Sequence, residues 1–189
     1  MSEIEQKKDL LLYLQQARDA LLWKLEGLSE YDVRRPLTPT GTNLLGLVKH
    51  VTFVEVGYLC DTFGRPHDVP LGDPMEDSYA AADESRELIV ERYRRSWTHT
   101  DASVHALSFD TVGAVPWWPK ERNEVTFHHV LVRVLGETQR HAGHADILRE
   151  GLDGAAGWLE DNDSLPSHDP AWWQEYRDRL QRIAEQAVK

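Results

Sequence analysis

Gly136-Glu137-Thr138-Gln139-Arg140-His141-Ala142-Gly143-His144-Ala145-Asp146-Ile147-Leu148 is the stretch whose reading decides the fold and places the chemistry. With its flanks, over residues 126–150, it carries apolar residues at three- and four-residue spacing and predicts a long amphipathic helix. At about 100° per residue, Glu137 and His141 project about 40° apart, on the face that also carries Val130, Val134, Ala145 and Leu148. A carboxylate and two imidazoles therefore lie in or beside the stripe that should be buried. Burying such groups without partners costs several kcal/mol. A divalent metal ion is the economical partner.

Working outward, the same periodicity recurs. Leu10, Leu14, Ala17, Leu21 and Leu25 predict a first helix over residues 6–27, with Gly27 suited to its C-terminal cap. The turn-rich residues Pro36, Thr38, Pro39, Thr40 and Gly41 connect it to a second helix over 42–63, with Leu44, Leu47, Val51, Val54 and Tyr58 inward. Residues 66–82, with three prolines and several acids, predict a long surface loop. A more polar third helix follows over 83–100, capped by Asp83 or Ser85. Pro116 and Pro119 exclude a regular helix around Trp117 and Trp118, and that loop is placed at a pocket mouth. The fourth helix carries the Glu/His cluster, and Gly151 and Gly154 end it. His128 and His129 at its start suit solvent-facing or capping roles. A final helix starts near Pro170 with Trp172, Tyr176, Leu180 and Ile183 on one face. No run is long enough to build a sheet. The expectation is an all-α fold: a single domain over residues 1–189, with a main four-helix bundle over 1–153 and a C-terminal loop and short helix over 154–189.

Composition agrees. Among 189 residues, 41% are hydrophobic and 28% charged, which is a globular balance with enough chain for a substantial core. A formal net charge of −11 argues against a nucleic-acid groove or an anionic membrane as partner. Cys60 is the one cysteine, which excludes an intrachain disulfide and a cysteine-based zinc site. The first residues lack an apolar signal core, and no apolar run reaches membrane-spanning length. A cytoplasmic protein is expected.

A metal site between helices needs ligands from more than one of them. His50 lies mid-way along the second predicted helix, on the side of Leu47, Val54 and Gly57. Alone, it suits a core histidine bonded to a carbonyl. Facing Glu137 and His141, it completes two imidazole nitrogens and a carboxylate oxygen, a set suited to Zn²⁺, Ni²⁺ or Fe²⁺ with a position left open for water or substrate. His144, three residues after His141, competes for the third place. Glu55, on the apolar side of the second helix, competes as a ligand or as a base beside the ligands. Spacing identifies the face and leaves this choice open. Two metals are not expected, because the paired Glu-x-x-His repeats of di-iron bundles are absent.

The segments Leu47-Val48-Lys49-His50-Val51-Thr52-Phe53-Val54-Glu55 and Glu137 through Glu150 resemble the DinB-like (DNA-damage-inducible) metalloprotein superfamily. They are most similar to its actinobacterial branch related to mycothiol-dependent enzymes. The resemblance runs from the first helix to about Asp153. It implies an up-down-down-up four-helix bundle with a long second connector. It also implies one metal held by a histidine on the second helix and by two ligands four residues apart on the fourth. Those positions are His50, Glu137 and His141. Many relatives carry histidine where Glu137 stands, whereas the mycothiol-dependent maleylpyruvate isomerases carry glutamate. The likeness does not extend to the further C-terminal domain of those isomerases.

By that resemblance the expected function is a thiol-dependent, mycothiol-type S-transferase or isomerase acting on a small electrophile. His144 or Glu55 would orient a ligand or move a proton. Metal-assisted hydrolysis and a non-catalytic metal- or ligand-binding bundle are the competing readings. Cys60 reads as a small core residue, and Gly151-Leu152-Asp153-Gly154 as a helix stop rather than a nucleotide loop, because no strand precedes it. Relatives often pair through bundle helices, so a homodimer is expected. Trp172, Trp173 and Tyr176 suit either a two-fold interface or a cover for the chain's own bundle.

Overall fold

The first helix opens with a reciprocal cap. Ser2 accepts a hydrogen bond from the Glu5 amide, and the Glu5 carboxylate accepts one from the Ser2 amide at 2.6 Å. The structure, a computed structural model, describes residues 2–73, 76–159 and 161–188. Pro74 and Met75, inside the predicted loop over 66–82, lie outside the described residues. Among the described residues the chain is mostly helical, with six α-helices and one small two-stranded sheet.

Helix α1 spans Glu3–Trp23, α2 Glu30–Arg34, α3 Leu44–Leu59, α4 Arg86–Ala106, α5 Phe127–Asp153 and α6 Pro170–Ala187. Each long helix starts where a short polar side chain can accept an orphan amide: Asn43 for Gly46 in α3, Ser85 for Leu88 in α4 and Thr126 for His129 in α5. Of the two caps proposed for the third predicted helix, Ser85 is the one used. That helix runs past residue 100 to Ala106. At the end of α5, Gly154 takes the left-handed conformation at φ +79° and closes the helix.

Two corrections to the sequence reading concern short elements. Residues 24–27, placed in the first helix, form a turn after Trp23, and a five-residue helix capped by Ser29 follows. Strands β1 (Val112–Ala114) and β2 (Glu124–Thr126) pair antiparallel, with Gly113 opposite Val125. Three residues per strand are too few to show alternation in sequence. Here Gly113 packs so closely on Phe63 that an added Cβ would stand 2.6 Å from its ring.

The first compact unit, Met1–Ala155, is built by the four long helices. Helix α3 packs on α4 and α5, and α1 packs on α5 and α4, so the pairings close into a ring. One half of the core joins Leu21, Leu44, Leu45, Val48, Val51, Ile89 and Tyr93; the other joins Leu14, Leu59, Val104, Phe127, Val130, Leu131 and Val134. Val130, Val134 and Ala145 of α5 are fully buried, which fixes the rotation of that helix. Arg149 adds a polar latch: its guanidinium donates to the carbonyls of Lys24 (3.1 Å) and Glu26 (2.7 Å), beyond the end of α1.

The second unit, Ala156–Lys189, holds α6. Asp169 caps α6 by accepting from the Ala171 amide, and Pro170 sits where its missing N–H costs nothing. Trp172 and Tyr176 stack with planes 7° apart, and the Trp173 indole donates to the Ser167 carbonyl at 2.9 Å. Among the described residues no helix is long and apolar enough to cross a membrane.

Candidate metal centre

Helix α3 carries His50 and helix α5 carries Glu137, His141 and His144. Because α3 and α5 pack directly, the packing that buries Val134 and Ala145 also turns Glu137 and His141 toward His50. Each of His50, Glu137 and His141 offers one ligand atom, and these atoms all lie within 4.8 Å of one another. The rings of His50 and His141 meet edge to face at 4.9 Å.

His141 is the informative member. Its Nε2 is buried and has no hydrogen-bond partner. The nearest carboxylate oxygen, Oε1 of Glu137, stands 3.6 Å away, too far for a hydrogen bond. Burial, with His50 adding to it and Glu137 opposing, pushes the His141 imidazole down to about 4. The ring is therefore neutral at physiological pH, and its lone pair is available. A neutral buried nitrogen without a donor, faced by an imidazole and a carboxylate, fits a divalent cation by number and chemistry of donors.

The other candidates separate. His144 is exposed beside the cluster; its Nδ1 lies 3.4 Å from Nδ1 of His141, and the two rings are 5.3 Å apart. Glu55 is engaged elsewhere. It is fully buried against Arg18, which donates to it at 2.6 Å from Nη2 and 3.1 Å from Nε. The Tyr93 hydroxyl donates to the same carboxylate at 3.1 Å, and the Thr100 hydroxyl lies at 3.4 Å. Burial alone would lower the Arg18 pKa. The charge of Glu55 overrides it and holds the guanidinium above its ordinary range.

One partner was not visible in the sequence. Oδ2 of Asp77 lies 2.9 Å from Nδ1 of His50. Asp77 sits in the irregular acidic connector between α3 and α4, where no periodicity singles it out from Asp73 or Glu76. A cleft opens beside the cluster, lined by His50, His141 and His144 together with Thr40, Thr42, Asn43, Gly46 and Ser78. Hydroxyls of Thr40, Thr42 and Ser78 and the Asn43 amide interrupt a wall that is otherwise largely apolar, with Leu47 in it. Two turns further along the same face of α3, Trp117 lies over Gly57, where an added Cβ would stand 2.7 Å from its Cη2. The Trp118 indole donates to the Tyr58 hydroxyl at 3.2 Å. Cys60 is buried against the Ser103 hydroxyl, and burial pushes its thiol up, as befits a core residue.

A family model described as mycothiol-S-transferase matches residues 9–154, which covers all four long helices from the ninth residue onward. That family lies within the DinB-like superfamily. No curated protein matches the chain.

Proposed function

We propose a function from one premise: the chain belongs to the mycothiol-S-transferase family. The reading is a thiol-dependent S-transferase that joins a low-molecular-weight thiol of the mycothiol type to a small electrophile. It uses one divalent metal ion, zinc first and nickel or iron as alternatives, held by His50, Glu137 and His141. The observation that carries it is the buried, unpartnered Nε2 of His141, with His50 and Glu137 in reach.

A bound divalent cation would supply Lewis acidity that keeps a thiol as thiolate near neutral pH. The chain's own groups do the remainder. His141 and His50 offer imidazole nitrogens as ligands, and Glu137 offers a carboxylate oxygen. His144, exposed beside the cluster, accepts the thiol proton and returns it to solvent. In the cleft, the hydroxyls of Thr40, Thr42 and Ser78 bond the polar groups of the thiol, and the apolar remainder of the wall packs on its body. Glu55, tied to Arg18, anchors α3 rather than touching substrate.

The family also implies the up-down-down-up course of a four-helix bundle, for which the long connector between α3 and α4 is suited. We read residues 1–189 as one such domain with its C-terminal extension, cytoplasmic, without nucleic-acid or membrane partners, and dimeric. Light scattering tests the last point: a mass near the 21.7 kDa of one chain at all concentrations rules the dimer out.

The functional test pairs elemental analysis of the purified protein with a transfer assay using mycothiol and a chromogenic electrophile. About one metal per chain and thiol-dependent product formation are expected. Ester or amide turnover without thiol would replace this reading with a hydrolase, and metal-free protein with full transfer activity would remove the metal from it.

A further inference from the structure

We propose that Asp77 is the positioning residue for His50, and that α3 holds the connector against itself to put it there. The inference rests on the metal-site reading above for its consequence, though not for its geometry.

An ionised carboxylate only accepts hydrogen bonds, so Oδ2 of Asp77 at 2.9 Å requires the proton of a neutral His50 to sit on Nδ1. Nε2 is then the one ring nitrogen with a free lone pair. This is the arrangement by which a carboxylate sets the tautomer and aim of a ligating imidazole and raises its basicity. Asp77 is itself mostly shielded, with its side chain 15% exposed, which strengthens the pair relative to a surface contact.

The connector is braced from the same face of α3. Gly46, Lys49 and His50 follow the i, i+3, i+4 pattern and project together. At Gly46 the backbone carbonyl of Ser78 comes so close that any Cβ would collide with it. Lys49 donates to the Tyr79 carbonyl at 3.1 Å and pairs with Glu84 at 2.7 Å. Glu84 in turn accepts from the Ala81 amide at 3.0 Å. Gly46 and Lys49 thus hold the backbone immediately after Asp77, at Ser78 and Tyr79, so its carboxylate reaches His50 from a segment anchored on its C-terminal side.

Two measurements on the full chain test this. Zn²⁺ affinity by chelator competition is expected to fall about 10- to 100-fold in Asp77→Ala. In Asp77→Asn the loss should be smaller, because the amide oxygen can still accept from Nδ1–H. Gly46→Ala, which leaves the carboxylate in place and displaces Ser78, should also weaken binding. Long-range ¹H–¹⁵N correlation of the metal-free protein at mildly alkaline pH reads the His50 tautomer directly. The expected result is Nδ1–H in the wild type and a tautomer mixture in Asp77→Ala. Unchanged affinity and an unchanged tautomer in Asp77→Ala would overturn the proposal. So would equal losses in the Ala and Asn variants that track a common drop in melting temperature. A wild-type protein that binds no Zn²⁺ would refute the metal site, while the tautomer measurement would still decide the role of Asp77.

Discussion

Helix α3 carries Glu55 and His50 five residues apart, and their surroundings treat them in opposite ways. Glu55 meets Arg18, Tyr93 and Thr100, so α1 and α4 together supply its donors. His50 faces α5, where the neighbouring His141 keeps a buried nitrogen with no partner at all. A buried charge that is fully bonded makes the helices register with one another. A buried nitrogen left unbonded costs stability, and it persists where something outside the chain completes it. The first cluster belongs to folding and the second to chemistry.

The sharpest way to break this contrast is to delete one member of the bonded cluster. Glu55→Ala leaves the buried Arg18 with the part-exposed Asp101, 2.9 Å away, as its remaining carboxylate partner and should cost about 3 kcal/mol. The check is a urea-unfolding midpoint, and a midpoint near wild type would place Glu55 outside the folding core. At the open cluster the reverse is expected. His50→Ala and His141→Ala should lose nearly all bound metal by elemental analysis while metal-free helix content stays as in wild type. Full occupancy in both would end the ligand assignment.

The pH dependence of the metal-free protein gives a finer test. The folded His141 titrates near 4, below the ordinary 6.5, so below about 6.5 the unfolded chain takes up a proton that the folded chain resists. Stability is therefore full above 6.5, declines as pH falls toward about 4 and changes no further on this account below it. His141→Gln should flatten that window in unfolding midpoints, and an unaltered slope would assign the decline to other groups. The smallest effect is expected at His144: its replacement by Ala should leave metal content unchanged, with the loss confined to thiol transfer. Loss of metal comparable to His141→Ala would make His144 a ligand.

Much of the open cluster was legible because it lies on regular helices. The 3.6-residue period that buries Val130, Val134 and Ala145 also fixes the side on which Glu137 and His141 emerge, and His50 follows from the same logic on α3. Glu55 was legible as an inward residue, but its partner was not: Arg18 lies 37 residues earlier, and periodicity on one helix says nothing of a partner on another. Asp77 was hidden for a different reason. It reaches His50 through an irregular connector whose path is set by tertiary contacts at Gly46 and Lys49, and no local pattern encodes those. The hairpin of β1 and β2 was missed because strands of three residues carry too little alternation to register.

The seat that Gly57 makes for Trp117 has an optical consequence. Gly57 follows His50 by seven residues, about 10 Å along the helix axis. The indole packs there on Tyr58, with ring centres 5.1 Å apart, and its surface remains 44% exposed. An absorbing or paramagnetic ion such as Cu²⁺ or Co²⁺ held at His50 would lie within quenching range of that fluorophore. In a variant whose other tryptophans are replaced by phenylalanine, the emission of Trp117 alone would report filling and emptying of the cluster in real time, without a label.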